Sequence, residues 1–356
     1  MTEELKNTLA RFSLIGAPVS CERYGCGHIN VTYLAVTDAD RRYILQKINH
    51  NTFKDVAELM ENITRVTQFL RTRTDDPRRV LTLVPALDGA SYIRNAEGYW
   101  RVYDFVEGSV CLQQPETPED FYESAVGFGG FQQMLLDFPA ATLHEAIPKF
   151  HNTPDRYRIF HEVLEKDPMG RAASVQPEID FYLDREQEMG TLQRMLESGE
   201  LPMRVTHNDT KLNNVLLDEA TRKALCIIDL DTVMPGLSLY DFGDSIRFGA
   251  ATAAEDEQDL SKVSMSLDLF RTYTRGFVRA CPGLTKTELA MLPMGAKTMT
   301  LECGLRFLTD YLDGDHYFAV HRDGQNLDRT RTQMKLVQDM EAKWEQMQRI
   351  VSEEAE

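Results

Sequence analysis

The chain has 356 residues, of which 42% are hydrophobic, so it is long enough for two or three compact units with a sizeable core. Its 39 basic and 56 acidic residues leave a net charge of −17, which argues against a nucleic-acid partner, since a phosphate backbone needs a basic surface. No run approaches the ~20 consecutive apolar residues of a membrane span, the six cysteines form no Cys-x-x-Cys pair, and Met1-Thr-Glu-Glu-Leu-Lys has no apolar signal core. A cytoplasmic protein with reduced thiols and no structural zinc is therefore expected, with its oligomeric state unset and a monomer favoured.

In chain order, residues 1–20 pattern as a short amphipathic helix, with Leu5, Leu9, Phe12 and Ile15 near helical spacing. Strand signals follow at 31–36 and 42–48, separated by the turn Asp38-Ala39-Asp40. A helix is predicted over 55–71, where Val56, Leu59, Met60, Ile63, Val66 and Leu70 share one face. Further strands are predicted at 80–84 and 99–105, with a hairpin candidate at Asn95-Ala-Glu-Gly98. After Glu107-Gly108 the pattern becomes mainly helical, broken by loops near Pro115, Pro118, Pro168 and Pro177, and strand-like segments return between 205 and 233. The expected architecture is α+β: a small β-sheet lobe with one main helix over 1–105, and a larger, mainly helical lobe over 106–356.

The chemistry concentrates in Val205-Thr-His-Asn-Asp-Thr-Lys-Leu-Asn-Asn-Val-Leu-Leu217, a polar loop between apolar strand segments. A polar loop held by buried strands must have its groups satisfied or serve a purpose. Cys226-Ile-Ile-Asp229 repeats the theme, as an apolar strand ending in a carboxylate. Phosphoryl transfer explains the set. An acceptor hydroxyl needs a carboxylate to orient it and take its proton, and a polyphosphate needs Mg²⁺ held by oxygen ligands. Asp209 and Asn214 are five residues apart, the interval found in the H-R-D-x-x-x-x-N loop of kinases.

His207-x-Asp209-x-x-x-x-Asn214 followed by Ile227-Ile228-Asp229 resembles the aminoglycoside phosphotransferase and choline kinase superfamily. The resemblance implies a bilobal protein-kinase-like fold with antiparallel sheet, ATP and Mg²⁺ as cofactors, Asp209 as catalytic base, Asn214 and Asp229 as metal ligands, and His207 as a structural support of the loop. Asp241-Phe242-Gly243 spells the protein-kinase metal motif, but it begins 27 residues after Asn214 whereas Asp229 follows it by 15. Asp241 is therefore expected to be structural, and Asp231, two residues past Asp229, is a reserve metal neighbour. Lys211 either meets the transferring phosphoryl group or lies in solvent.

On the nucleotide side, Gly25, Gly27 and His28 in Tyr24-Gly-Cys-Gly-His-Ile-Asn30 sit where a phosphate-covering hairpin belongs. Lys47 is the expected phosphate lysine, with Glu58 or Glu61 as its helix partner. Strand alternation leaves Gln46 as the rival for that position. Asp104 and Val106, in Tyr103-Asp-Phe-Val-Glu-Gly108, mark the inter-lobe connector whose backbone would meet adenine. For the acceptor, Ile147-Pro-Lys-Phe-His-Asn-Thr-Pro-Asp-Arg156, Arg247-Phe-Gly-Ala250 and Glu302 to Phe318 resemble the N-acetylhexosamine 1-kinases. That resemblance implies transfer from ATP to the C1 hydroxyl of a neutral N-acetylated sugar; Tyr317, and Arg306 within an otherwise apolar helix, are candidates to face it. Arg306 is equally placed for an i,i+4 ion pair with Glu302. The alternatives are an aminoglycoside- or choline-type kinase, whose cationic acceptor would need carboxylates such as Glu302, Asp313 and Asp315, or an inactive pseudokinase scaffold.

Overall fold

The computed structural model describes residues 1–25 and 29–356, so the expectations for Gly27 and His28 lie outside the described residues. The first part of the chain forms α1 (Glu3–Leu9), β1 (Pro18–Arg23), β2 (Val31–Thr37), β3 (Arg42–Ile48), α2 (Val56–Arg71), β4 (Leu83–Val84), β5 (Ile93–Asn95) and β6 (Gly98–Asp104). The remainder forms β7 (Ser109–Cys111), α3 (Pro118–Met134), α4 (Thr153–Lys166), α5 (Gln176–Leu183), α6 (Glu186–Met189), α7 (Thr191–Glu197), β8 (Arg204–Thr206), β9 (Val215–Asp218), β10 (Ala224–Ile227) and β11 (Met234–Gly236). It closes with α8 (Ser238–Gly249), α9 (Leu267–Ala280), α10 (Lys286–Asp313), α11 (Gln325–Ala342) and α12 (Trp344–Glu354). None of the described helices is long and apolar enough to cross a membrane.

The small lobe is one antiparallel sheet in the order β1-β2-β3-β6-β4, with β5 paired to the other part of β6. Its outer face packs Tyr43, Leu45, Trp100 and Val102 beneath Leu5 and Leu9 of α1. Its inner face meets α2, whose Leu59, Met60, Ile63 and Val66 merge with the core of the helical lobe. Asp55 starts α2 by accepting the Glu58 backbone N–H at 3.0 Å, an N-cap that satisfies an otherwise unpaired donor. The helix expected over 1–20 is shorter than its periodicity suggests. It stops at Leu9, Gly16 turns the chain at φ +83°, and Pro18 opens an edge strand.

Two features of the larger lobe position the site. β8 pairs with β11, and β9 lies between β10 and β7, so the polar loop after β8 and the segment after β10 open side by side. Beneath them α8 crosses α10 at backbone distance: a Cβ on Gly243 would lie 2.3 Å from the Gly295 carbonyl oxygen. The letters Asp-Phe-Gly at 241–243 thus belong to helix packing, where only glycine fits.

Candidate active site

The polar loop leaving β8 is held from below by one carboxylate. Asp241, in the first turn of α8 and fully buried, accepts the backbone N–H groups of His207 (2.9 Å) and Asn208 (2.8 Å) and the side-chain amide of Gln132 (2.6 Å). Burial pushes the Asp241 carboxyl above its ordinary range, against the pull of His207 and these donors. Thr210 donates to the Asp241 carbonyl at 2.7 Å, and Tyr273 supports Thr210 through Ser245. Asn208 adopts φ +65°, which asparagine tolerates better than most residues, and its amide donates to Thr232 O at 2.8 Å.

His207 joins this loop to the neighbouring strand. Its ring is fully buried against the edges of Phe128 and Phe131. Its Nε2 lies 2.9 Å from the Ile228 carbonyl, which can only accept, so the proton sits on Nε2 and Nδ1 accepts the Asp209 N–H at 3.3 Å. Ile228 is fixed again by its own N–H, which donates to the Asn214 carbonyl at 2.9 Å.

Asp209, Asn214 and Asp229 are drawn together by these bonds. Asn214 donates its amide to Asp209 O (2.8 Å) and Oδ2 (3.1 Å), so its Oδ1 is left as an oxygen donor. Lys211 places Nζ 2.7 Å from Asp209 Oδ1 while keeping 42% of its side chain exposed. Asp209 raises the Lys211 pKa against the lowering effect of its surroundings. Asp229 takes the left-handed conformation (φ 59°, ψ 60°) and opens toward solvent. Although exposed, it is crowded by protein, and this crowding, Asp231 and Asp209 push its carboxyl up to about 6. A divalent cation would relieve that repulsion. The available donors, one amide oxygen and carboxylates, are the hard ligands Mg²⁺ takes, typically completed by water and phosphate oxygens. Among the described residues no group of three or more His, Cys, Asp or Glu is arranged to hold a metal ion.

The nucleotide side differs from expectation at one strand. Lys47 and Glu58 do not pair. Lys47 Nζ stands over the Trp100 ring (5.5 Å) and 3.8 Å from Glu97, on the outer face with Tyr43 and Leu45. Glu58 lies 3.6 Å from His144, and Glu61 3.1 Å from it. Gln46 takes the inner face, as alternation requires of its neighbour, and accepts from Arg101 Nε at 2.9 Å. Arg101, which pattern reading missed, is 1% exposed and lies 2.5 Å from Asp231. A lone cation within Tyr99-Trp-Arg-Val-Tyr was the available signal, because a buried charge needs a partner. Gly25 has φ +74° and open space at its Cα. In the connector, Asp104 N–H donates to Thr82 O (2.9 Å) and Val106 O accepts from Ser109 Oγ (2.6 Å), so two of its backbone groups already have partners.

Arg306 does not form the i,i+4 pair. Glu302, 1% exposed, is taken by His151 Nδ1 (2.8 Å) and Thr153 Oγ1 (3.2 Å). Arg306 instead stands among the rings of Phe150, Tyr317 and Phe318, each 5.4–5.5 Å from its guanidinium, and donates to Tyr317 Oη at 3.2 Å. The loop carrying Tyr317 hangs from Asp310, which accepts the N–H groups of His316, Tyr317 and Phe318 at 2.8–2.9 Å.

A family model described as the phosphotransferase enzyme family matches residues 20–274. Among solved structures, the chain is similar to a microcompartment-associated aminopropanol kinase (20% identity, TM-score 0.66, covering 97% of this chain and 98% of that one). It is also similar to amicoumacin kinase in complex with AMP-PNP, Ca²⁺ and Ami (12% identity, TM-score 0.62, 96% and 94%). A third match is a choline kinase from Streptococcus pneumoniae (12% identity, TM-score 0.55, 96% and 98%). At these identities the likeness establishes a shared kinase-like fold.

Proposed function

The chain belongs to the phosphotransferase enzyme family, and from that premise we propose that it transfers the γ-phosphate of ATP to the C1 hydroxyl of an N-acetylhexosamine, with Asp209 as the base. The observation that carries the transfer chemistry is the bonding of Asp209, Asn214 and the Ile228-Asp229 segment into one unit. In this reading, Asp209 Oδ2 is oriented by the Asn214 amide and Oδ1 by Lys211. The carboxylate accepts the acceptor's proton as its oxygen attacks phosphorus. An anomeric hydroxyl is more acidic than an ordinary alcohol, so this proton moves easily. Lys211 releases Asp209 to meet the developing charge on the phosphoryl oxygens. Asn214 Oδ1 and Asp229 would hold Mg²⁺, which would supply positive charge to offset that of the polyphosphate. Gly25 and the connector at Asp104–Val106 lie on the nucleotide side.

The sugar rests on the resemblance of the flanking segments and on the local charge around Arg306. Arg306, ringed by aromatics, lowers the pKa of Arg156 behind the crowding around that side chain. Arg156 spends its Nε and Nη2 on the Phe150 carbonyl. Two guanidiniums in one region suit a neutral, oxygen-rich acceptor with an acyl carbonyl. Two of the three carboxylates that a cationic acceptor would need are engaged elsewhere, Glu302 by His151, and Asp315 by Arg171 at 2.7 Å and Asn326 at 2.9 Å, while Asp313 is exposed. Nucleotide release measured across acceptors, with ³¹P NMR of the product, tests this. Turnover is expected with N-acetylglucosamine or N-acetylgalactosamine and a sugar 1-phosphate as product. Strong turnover with choline, aminopropanol or kanamycin and none with the N-acetylhexosamines would sink the sugar assignment.

A further inference from the structure

Two small-lobe side chains meet one carboxylate of the helical lobe, and a third orients one of them. Arg101, in the middle of β6, sets Nη1 2.5 Å from Asp231 Oδ1. Gln46, its direct register partner on β3, accepts Arg101 Nε and so fixes the direction of the guanidinium. Asn30 donates Nδ2 to Asp231 Oδ2 while its own Oδ1 accepts the Asn49 N–H at 2.9 Å. Asp231 is 3% exposed, and both of its oxygens are engaged by small-lobe donors. It therefore stands as an anchor between the lobes, Oδ1 in an ion pair with Arg101 and Oδ2 accepting from Asn30.

Asp231 lies two residues beyond Asp229, in the tight turn Leu230–Thr232. Asp229 itself holds a left-handed backbone, which a non-glycine residue keeps only when its surroundings impose it. On the N-terminal side the imposing bonds are those of Ile228 to His207 and Asn214. On the C-terminal side they are those of Asp231 to Arg101 and Asn30. A buried ion pair is a poor source of net stability compared with apolar packing, but it admits one geometry.

We infer that Arg101 is a positioning residue for the phosphotransfer: through Asp231 it tethers the small lobe to the metal-side turn, so that Asp229 is presented correctly only when the lobes are docked in this arrangement. This rests on the reading of Asp229 as a metal ligand, and the test separates the two. Mn²⁺ serves as the probe, titrated by electron paramagnetic resonance into the full chain with AMP-PNP, alongside metal-free AMP-PNP binding and thermal melts. Arg101→Met and Asp231→Asn are each expected to weaken Mn²⁺ about 10- to 100-fold, as loss of outer-shell support does elsewhere, with metal-free AMP-PNP affinity unchanged. Arg101→Lys, which keeps the charge and loses the Gln46 contact, should fall between. The double variant Arg101→Met/Asp231→Leu removes both charges, so its Tm should recover relative to the single variants while Mn²⁺ binding stays weak. If Arg101→Met lowers Tm yet binds Mn²⁺ as wild type does, or if the double variant regains full Mn²⁺ affinity, the tether is structural only and the inference fails. Loss of Mn²⁺ in Asp231→Asn with none in Arg101→Met or Arg101→Lys would make Asp231 a ligand and overturn it equally. Should Arg101→Met not fold, Gln46→Leu and Arg101→Lys decide between the same outcomes. Wild-type Mn²⁺ affinity in Asp229→Asn would instead reject the metal assignment itself, and with it the tether's role.

Discussion

At the scale of single residues, the proposed chemistry concentrates on one carboxylate with three constraints: His207 at its backbone, Asn214 and Lys211 at its oxygens. Asp209→Asn keeps the shape and the Asn214 neighbourhood but cannot take a proton. It is expected to lower kcat by about 10²- to 10⁴-fold while leaving AMP-PNP affinity near wild type, measured by steady-state kinetics and calorimetry. Near wild-type kcat would remove Asp209 from the base role. The closeness of Asp209, Asn214 and Asp229 was legible because they fall within a short contiguous stretch, where spacing alone constrains geometry. Lys47 was not. Its place depends on which face of β3 turns inward, and with a period of two a single position decides everything. Register with β6 turns Gln46 and Arg101 inward together and sends Lys47 to Trp100.

At the scale of elements, the contact between α8 and α10 sets the floor of the loop, and glycine is what allows it. Gly243→Ala would drive a methyl group into the Gly295 backbone. About 1–3 kcal/mol of destabilisation is expected from such overpacking, read by chemical denaturation, with Mn²⁺ affinity unchanged. A large loss of metal binding with intact stability would return Asp241-Phe-Gly to the metal role. A second junction ties β8 to α10. Glu288, 1% exposed, accepts from Arg204 at 2.8 and 3.0 Å and from Ser238 at 2.8 Å. Burial raises its pKa, but Arg204, the Thr285 N–H and Ser238 outweigh it and hold the carboxyl below its ordinary 4.5. A depressed folded-state pKa gives stability that is present above 4.5 and lost as pH falls through the folded value. Glu288→Gln should therefore cost about 3 kcal/mol near neutral pH, with the gap from wild type narrowing below pH 4.5. A gap that stays constant down to acid unfolding would contradict this. The strands at 31–37 and 42–48 and the helix at 56–71 were legible from periodicity, because each has a wet and a dry face. β1 was hidden within an apparent helix, since four apolar residues at helical spacing are too few to specify a period across a Gly-Ala-Pro break.

At the scale of the molecule, the two-lobe division could be anticipated from the change in pattern after Gly108, but the way the lobes meet could not. That docking is made by residues far apart in the chain, such as Asn62, which donates to His144 O at 2.8 Å and Val233 O at 3.2 Å, and Arg101. Ligands seated between the lobes should stabilise the whole fold. At a concentration 100 times its Kd, AMP-PNP with Mg²⁺ should add about 2.7 kcal/mol to the unfolding free energy, read as a rise in Tm. In Asp229→Asn the share that requires Mg²⁺ should vanish; an equal Tm rise with and without Mg²⁺ in the wild type would argue against a metal between the lobes.

The junction of Arg101, Gln46, Asn30 and Asp231 also bears on how such enzymes are recombined. The His207–Asn214 loop and the Asp229 segment lie on one side of the lobe boundary, whereas three of these four residues lie on the other. Grafting the small lobe of a relative onto this helical lobe would strand Asp231 as a buried, uncompensated carboxylate, a severe defect, unless the donor lobe carries a cation at the Arg101 position. Exchanges that move the three small-lobe residues together with Asp231 should yield folded hybrids. Exchanges cut cleanly at the connector should not, so the functional seam of this molecule does not coincide with its visible one.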